Sequence, residues 1–96
     1  MKAQLRRYRI QAGRGEQFAR EWRDTVAPLR ERYGFRVSGW LVDGSDEFIW
    51  LLEHDNRDSF DAADAAYYAS GQRQGLQPDP ARLVEDARQD WVSVVF

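Results

Sequence analysis

The stretch EFIWLLEH near the middle of the chain is apolar on both sides of a strand. The two-residue period of a strand places Phe48, Trp50 and Leu52 on one face. Ile49 and Leu51 then lie on the opposite face. A strand that is apolar on both faces belongs in the middle of a sheet, and each face of that sheet needs a cover. A chain of 96 residues has little material for two covers, so this stretch predicts both a sheet and self-association.

Composition excludes several classes of protein. The chain has no cysteine, which argues against a disulfide scaffold, a thiolate metal site and a redox motif. It shows no hydrophobic signal segment and no apolar run of membrane-spanning length, so we expect a cytoplasmic protein with no membrane partner. Basic residues exceed acidic ones by six over residues 1–36, and acidic residues exceed basic ones by eight over residues 37–96. Because the basic residues alternate with apolar ones, we expect the halves to neutralise each other on folding and to bind no nucleic acid.

The spacing of apolar residues predicts the order strand, helix, strand, strand, helix, strand. Phe18, Trp22 and Val26 recur at four-residue spacing and mark the buried stripe of the first helix. Pro28 lacks a backbone N–H, which predicts a bend in that helix between Asp24 and Pro28. The predicted strands cover residues 3–10, 35–42, 47–54 and 90–96, and the predicted helices cover residues 16–33 and 55–70, with Gly71 ending the second helix and a short helical turn over residues 81–87.

This order defines an α+β, ferredoxin-like βαββαβ fold in a single domain over residues 1–96. Right-handed crossovers place strands one and three in the middle of a four-stranded antiparallel sheet, with both helices on one face. The helix-free face would expose Trp40, Ile49 and Leu51. An apolar patch of this kind predicts a homodimer that forms sheet to sheet through those residues.

Four segments combine into a recognisable pattern. They are LRRYRI in the first strand, PLRERYGFRVSGW at the end of the first helix, EFIWLLEHD in the central strand, and DAADAAYYAS followed by an arginine and PDP. Together they resemble the NIPSNAP family of the dimeric α+β barrel superfamily. The resemblance covers essentially the whole chain and is most specific over residues 28–40 and 61–80. It implies the same fold and the same dimer that the spacing predicts.

The functions that this resemblance implies are varied. Most NIPSNAP proteins have no established activity, while superfamily relatives include cofactor-free monooxygenases, haem-degrading enzymes, dehydratases, isomerases and polyketide-cyclase-like proteins. Those relatives typically hold a ligand between the sheet and the helices of one subunit. The resemblance therefore implies a ligand site in that position, and we expect no cofactor. The reaction is not fixed by the fold.

His54 is the only histidine and ends the central strand on the face of Phe48 and Trp50. An imidazole titrates near neutrality, which suits a general base, so His54 is the candidate catalytic residue. The alternative is a structural histidine bonded to Asp55 or to the cap of the next helix. No metal site is expected, because Glu53 and Asp55 alternate away from His54 along the strand.

Two tyrosines and one pair on the first strand are candidate ligand contacts. Adjacent helical residues point about 100° apart, so we expect Tyr67 to face the sheet and Tyr68 to lie at its flank. Two phenols there would orient a phenolic or quinone-like substrate, whereas packing with the hydroxyl on a backbone carbonyl is the alternative. Arg6 and Tyr8 share one face of the first strand. They are candidates for an anion contact and a hydrogen bond, unless Arg6 pairs with an acid of a neighbouring strand.

Trp22, Gly39 and Trp50 complete the candidate substrate-binding set. An even-numbered loop between strands two and three places Gly39 beside Trp50, whereas an odd-numbered loop reverses one strand. The missing side chain at Gly39 leaves either packing room for an indole or space for a ligand. Trp22 should approach the same region from the first helix. This concentration of rings is typical of an aromatic-lined cavity, whereas core packing of the same rings is the alternative.

Two hypotheses for function follow. In the first, the protein is a cofactor-free enzyme that acts on a small aromatic or polycyclic molecule held between sheet and helices. His54 is then the general base, and Tyr67 or Tyr68 is the hydrogen-bond donor. In the second, the chain is a non-catalytic homodimeric binding or interaction module, and the same side chains serve only for packing. The sequence names neither the ligand nor the reaction.

Overall fold

The computed structural model describes residues 2–55 and 57–96. The strands among these residues form one four-stranded antiparallel sheet. The strands are β1 (Lys2–Ile10), β2 (Arg36–Leu41), β3 (Glu47–Glu53) and β4 (Val84–Ser93). Their order across the sheet is β2-β3-β1-β4, so β1 and β3 are central, as predicted. With its intervening helices, the chain has the α+β, ferredoxin-like fold.

The register of the strands follows the even-numbered loop expected between β2 and β3. Gly39 lies opposite Trp50, and Trp40 lies opposite Ile49. Across the other side of β3, Arg6 of β1 also lies opposite Trp50. Because opposed residues of antiparallel strands share a face, Gly39, Trp50 and Arg6 lie on one face and Trp40 and Ile49 on the other. The predicted assignment of the two faces is confirmed.

A long helix over residues 15–32 covers one face of the sheet. Phe18, Trp22 and Val26 are buried on it, which confirms the predicted stripe. The Trp22 ring lies 5.5 Å from the Trp50 ring, measured between centroids, so this stripe packs on the Gly39 face of the sheet. The helix consists of α1 (Gly15–Glu21), a π-helical segment (Trp22–Val26) and α2 (Ala27–Arg32).

Near Pro28, where a bend was predicted, the long helix contains the π-helical segment. The backbone N–H of Ala27 donates to the carbonyl of Trp22, one residue further back than in an α-helix. The Thr25 hydroxyl donates to the Glu21 carbonyl at 2.6 Å. Pro28 has no N–H to hold the turn before it in α-geometry, so that turn can widen. The irregularity therefore begins before Asp24, slightly earlier than the predicted bend.

The second helical region differs from its prediction at its end. It contains α3 (Arg57–Ala69), α4 (Gly71–Gln74) and a 3₁₀ turn (Pro80–Leu83). Gly71 was expected to end the second helix but instead begins α4. The break falls at Ser70, whose hydroxyl accepts a hydrogen bond from the backbone N–H of Arg73 at 3.0 Å and caps the new helix. Asn56, in the capping run before α3, lies outside the described residues.

The last strand begins earlier than the sequence suggests. Residues 81–87 were predicted as a helical turn and residues 90–96 as a strand, whereas β4 pairs with β1 from Val84 onward. The sequence EDARQD has no apolar alternation from which a strand could be predicted. β4 is an edge strand, and its backbone pairing with β1 sets the conformation. Val95 and Phe96 follow the strand with their side chains exposed.

Rings from both helical regions contact the same face of the sheet. Phe18 packs on Phe48, and Phe60 of α3 packs on Trp91 of β4. The buried apolar cluster lies between this face and the helices. Its members are Ile10, Phe18, Trp22, Val26, Phe35, Phe48, Trp50, Leu52, Phe60 and Leu83. Within the described residues, no helix has the length and apolar character needed to cross a membrane.

Candidate functional site

A cavity of about 360 Å³ lies between the sheet, the long helix and the α3–α4 region. Six of its thirteen described lining residues are aromatic. The lining residues are Tyr8, Phe18, Trp22, Val26, Arg30, Trp50, Tyr67, Tyr68, Arg73, Pro80, Ala81, Val84 and Ala87. A larger depression of about 530 Å³ lies at the end of β1. That depression is lined mainly by charged surface residues, so the aromatic cavity is the better candidate for a ligand site.

Five buried polar atoms on residues that line this cavity have no hydrogen-bond partner among the described residues. They are Nε1 of Trp22, Nε1 of Trp50, the hydroxyl of Tyr67, and Nε and Nη2 of Arg30. All four residues line the cavity. Because an unpartnered buried donor costs about 1–3 kcal/mol, such groups are expected to meet a polar partner. Their concentration here distinguishes this cavity from ordinary core packing.

Arg30 is the central charged group of the site. Its side chain is 0 % exposed, and its Nη1 donates to Asp64 Oδ1 at 2.7 Å. The guanidinium carbon lies 3.7 Å from the centre of the Tyr67 ring and 5.1 Å from that of Tyr68. It lies 5.7 Å from that of Trp50. Stacking on ring faces holds this cation in an otherwise apolar interior.

Asp64 of α3 is shared by two arginines. Its Oδ1 accepts from Arg30 and also lies 3.4 Å from Arg6 Nη2. Arg6 is buried, donates from Nη1 to the Tyr68 hydroxyl at 2.9 Å, and donates from Nε to Gln4 at 2.7 Å. Burial lowers the pKa of Arg6, but interactions with the two neighbouring tyrosines outweigh it and the pKa lies above its ordinary value. Two buried cations therefore face one carboxylate.

The two tyrosines play different parts in the wall. Burial raises the pKa of Tyr67, although the nearby charges of Arg30 and Arg73 act in the opposite direction. Its hydroxyl is therefore protonated near neutrality and able to donate a hydrogen bond. Tyr68 is 45 % exposed and accepts the hydrogen bond from Arg6. This arrangement agrees with the expectation that Tyr67 faces the sheet and Tyr68 lies at its flank.

Arg73, which sequence reasoning missed, lies at the cavity beside the tyrosines. It belongs to the short helix α4, and its guanidinium carbon lies 5.8 Å from the centre of the Tyr68 ring. Arg73 Nη1 pairs with Asp79 at 3.2 Å. Because Ser70 caps α4, the helix break described above is what presents Arg73 to the cavity.

Most of the predicted substrate-binding residues meet at the cavity. Tyr8, Trp22, Trp50, Tyr67 and Tyr68 all line it. Arg6 is not among the described lining residues, but it donates a hydrogen bond to the hydroxyl of Tyr68, which lines the cavity.

Gly39 does not line the cavity among the described residues. A Cβ atom built on it would lie 2.8 Å from ring atoms of both Trp22 and Phe48. The missing side chain thus makes room for core rings, which is the packing alternative.

The structure places His54 away from this cavity. Its Nδ1 lies 2.7 Å from the Ser59 hydroxyl, and its ring packs edge-on against Phe35 at 5.1 Å. His54 is not among the described lining residues, so the structure does not bring the predicted base together with the predicted binding groups. The described residues contain no group of three or more His, Cys, Asp or Glu side chains arranged to hold a metal ion.

Fold and cavity together define a ferredoxin-like α+β protein with a ligand-sized cavity between its sheet and its helices. Several solved structures share this architecture. A NIPSNAP domain protein from Burkholderia xenovorans superposes with a TM-score of 0.85 at 22 % identity, covering 100 % of this chain and 97 % of that one. A NIPSNAP family protein from Agrobacterium tumefaciens superposes with a TM-score of 0.82 at 14 % identity, covering 96 % and 90 %.

An oxygenase also shares the fold. SnoaB, a cofactor-independent oxygenase from Streptomyces nogalater, superposes with a TM-score of 0.72 at 14 % identity and covers 99 % of this chain and 93 % of that one. No family model and no curated protein matches the sequence. The similarities establish the α+β, ferredoxin-like fold, and solved NIPSNAP proteins are among the structures that share it. They do not carry an activity over to this chain.

Proposed function

We propose that this protein binds a small, flat aromatic molecule in the cavity between its sheet and its long helix. The observation that carries the proposal is the set of buried, unpartnered donors on Trp22, Arg30, Trp50 and Tyr67. All four residues line the cavity, together with further aromatic rings. Rings favour a flat apolar ligand, and unpartnered donors favour polar atoms at its edge.

The size of the cavity limits the ligand. A volume of about 360 Å³ is near the lower end of the range for small-molecule sites. A molecule of one or two fused rings fits this space, whereas a large polycycle would require the α4 region to move. The ligand class therefore includes the phenolic and quinone-like molecules expected from the tyrosines.

An enzymatic form of this proposal is a cofactor-independent reaction on the bound molecule. The Streptomyces nogalater structure, described as a cofactor-independent oxygenase, supports that form by analogy of fold. Tyr67 and Arg30 line the cavity and carry unpartnered groups that can donate hydrogen bonds to a reacting molecule. His54 as general base stays a prediction, and its position outside the cavity lining gives it no support. A binding module without catalysis is the simpler form.

The tryptophans provide a direct test of the site. In a ¹⁵N-labelled sample each indole Nε1–H gives its own NMR signal, which Trp→Phe variants assign. A panel of one- and two-ring aromatic compounds should contain members that shift the signals of Trp22 and Trp50, because both tryptophans line the cavity. Trp40 is 52 % exposed on the other face of the sheet and serves as the internal control. A panel that shifts neither cavity signal would contradict the proposal.

We further propose that the protein is a homodimer through the helix-free face of the sheet. Trp40 is 52 % exposed on that face, next to the half-buried side chains of Ile49 and Leu51. Covering them with a second copy would remove an exposed indole from water and give the sheet its second layer. Sedimentation-velocity measurement of the native protein tests this, since a monomer at micromolar concentration would refute it.

A further inference from the structure

One edge of the Arg30 guanidinium has no partner among the described residues. Nη1 is used by Asp64 at 2.7 Å, whereas Nε and Nη2 are unpartnered. The N–H groups on Nε and Nη2 point in parallel from the same side of a guanidinium. They form the fork that binds both oxygens of a carboxylate side-on. The unused edge of this buried side chain thus has the two-donor geometry that a carboxylate requires, on a residue that lines the cavity.

The local charge also favours an anion. The charged residues among the described lining residues are Arg30 and Arg73. Asp64 is shared between Arg30 and Arg6, and Asp79 pairs with Arg73. Three guanidinium groups therefore face two carboxylates, which leaves an excess of one positive charge at the cavity. A buried cation without full compensation is costly, and a ligand anion would relieve that cost.

The other unpartnered groups can also donate hydrogen bonds. Nε1 of Trp22 and Nε1 of Trp50 can only donate hydrogen bonds. The Tyr67 hydroxyl is a donor as well, because burial keeps it protonated near neutrality. Because the groups on Trp22, Arg30 and Trp50 can only donate, a ligand that satisfies this wall must supply mainly acceptors.

We infer that the ligand is a small aromatic carboxylate, with its carboxylate on the Nε–Nη2 edge of Arg30 and its ring among the rings of Trp22, Trp50 and Tyr67. This inference rests on the proposed function and specifies the chemical class that the site accepts. Arg30 is then the residue that selects an anionic ligand over a neutral one of the same shape.

A matched pair of probes tests the inference. 1-Naphthoate and 1-naphthamide have nearly the same shape but differ by one charge. Calorimetric titration of the native protein should show naphthoate binding at least about tenfold more tightly than the amide, since hydrogen bonds to charged groups are stronger than neutral ones. The ratio should fall to about one in Arg30→Met. It should persist in Arg32→Met, which removes an exposed arginine from the same helix.

NMR provides a readout that does not depend on a folded variant. In the native protein, naphthoate should shift the Arg30 Nε–H signal downfield and slow its exchange with water, whereas naphthamide should not. Equal or tighter binding of the amide would overturn the anion inference and leave the proposed aromatic site intact. If no member of the aromatic panel binds and the Trp22 and Trp50 signals stay unmoved, the proposed function fails too.

Discussion

The missing side chain at Gly39 lets the long helix lie close to the sheet. Ring atoms of Trp22 and Phe48 would lie only 2.8 Å from a Cβ atom at this position, and both residues are buried. Neither ring can move without displacing other members of the core. The absence of a side chain at Gly39 therefore determines how close to the sheet the Trp22 ring can lie.

Gly39→Ala should accordingly destabilise the fold by about 1–3 kcal/mol through overpacking. The opposing gain from a less flexible unfolded chain is smaller, about 0.4–1 kcal/mol. Urea denaturation gives the free energy of unfolding of each variant. The matched control is Gly71→Ala, because a Cβ atom there would meet nothing within 4 Å. A Gly39→Ala protein as stable as the native one would show that the rings are free to shift.

His54 provides a second prediction for a single residue. Because it is bonded to Ser59 and lies outside the described cavity lining, His54→Gln should leave the affinity for an aromatic ligand unchanged within error. The measurement is the same calorimetric titration, with Tyr67→Phe as the variant expected to weaken binding. Loss of affinity in His54→Gln would place the imidazole at the ligand and revive its role as general base.

The loop from β1 into the long helix depends on a residue of a different element. Asp46, in the turn between β2 and β3, accepts backbone N–H groups from Gly13 at 3.0 Å and from Gly15 at 2.9 Å. These two hydrogen bonds lower the pKa of Asp46 below its ordinary value. The charged carboxylate thus holds the start of the helix against the β2–β3 hairpin.

Stability should depend on pH through this carboxylate. A folded-state pKa below the unfolded value contributes stability above about pH 3.9, and this contribution is lost as the pH falls through the folded-state pKa. Asp46→Asn should therefore lower the free energy of unfolding at pH 7, with a difference from the native protein that shrinks at pH 3. Denaturation at both values checks this, and Asp43→Asn, in the same turn and exposed, is the control. A difference independent of pH would exclude the charge as its cause.

At the level of elements, the sequence predicted those features that depend on the periodic spacing of apolar residues and on the turn residues. The Phe18, Trp22 and Val26 stripe and the β2–β3 register follow from side-chain spacing alone. β4 was predicted too late because an edge strand takes its conformation from backbone pairing with β1, which leaves no apolar alternation to recognise. Gly71 was misjudged because the Ser70 cap sets the helix boundary.

The site was only partly predictable for a related reason. Aromatic residues identified the cavity wall, since their spacing faces the sheet. Arg30 continues the four-residue row of Trp22 and Val26, and a charge on a buried stripe was the signal that could have identified it. Its acid partner, Asp64, comes from a distant helix. That pairing depends on the packing of the two helical regions, which no local pattern encodes.

At the level of the whole molecule, the proposed dimer depends on the exposed indole of Trp40. Trp40→Arg should raise the dimer dissociation constant at least about tenfold, because buried aromatic residues are common interface anchors. Sedimentation over a concentration series measures the constant. Since Trp40 is 52 % exposed, the variant monomer should remain folded. Glu31→Arg, on the exposed side of the long helix, should leave assembly unchanged. An unaltered constant in Trp40→Arg would exclude this face as the interface.

The shared carboxylate of Asp64 makes the interior unequally tolerant of mutation. If either Arg6 or Arg30 is lost, the remaining arginine still has its counter-ion. If Asp64 is lost, two cations remain in the interior with no acid between them. A saturation-mutagenesis library scored for folded protein should therefore show Asp64 depleted of substitutions more completely than either arginine. Over evolutionary time, we expect Asp64 to be retained, while substitutions of Arg6 or Arg30 are better tolerated and change which ligands the cavity binds.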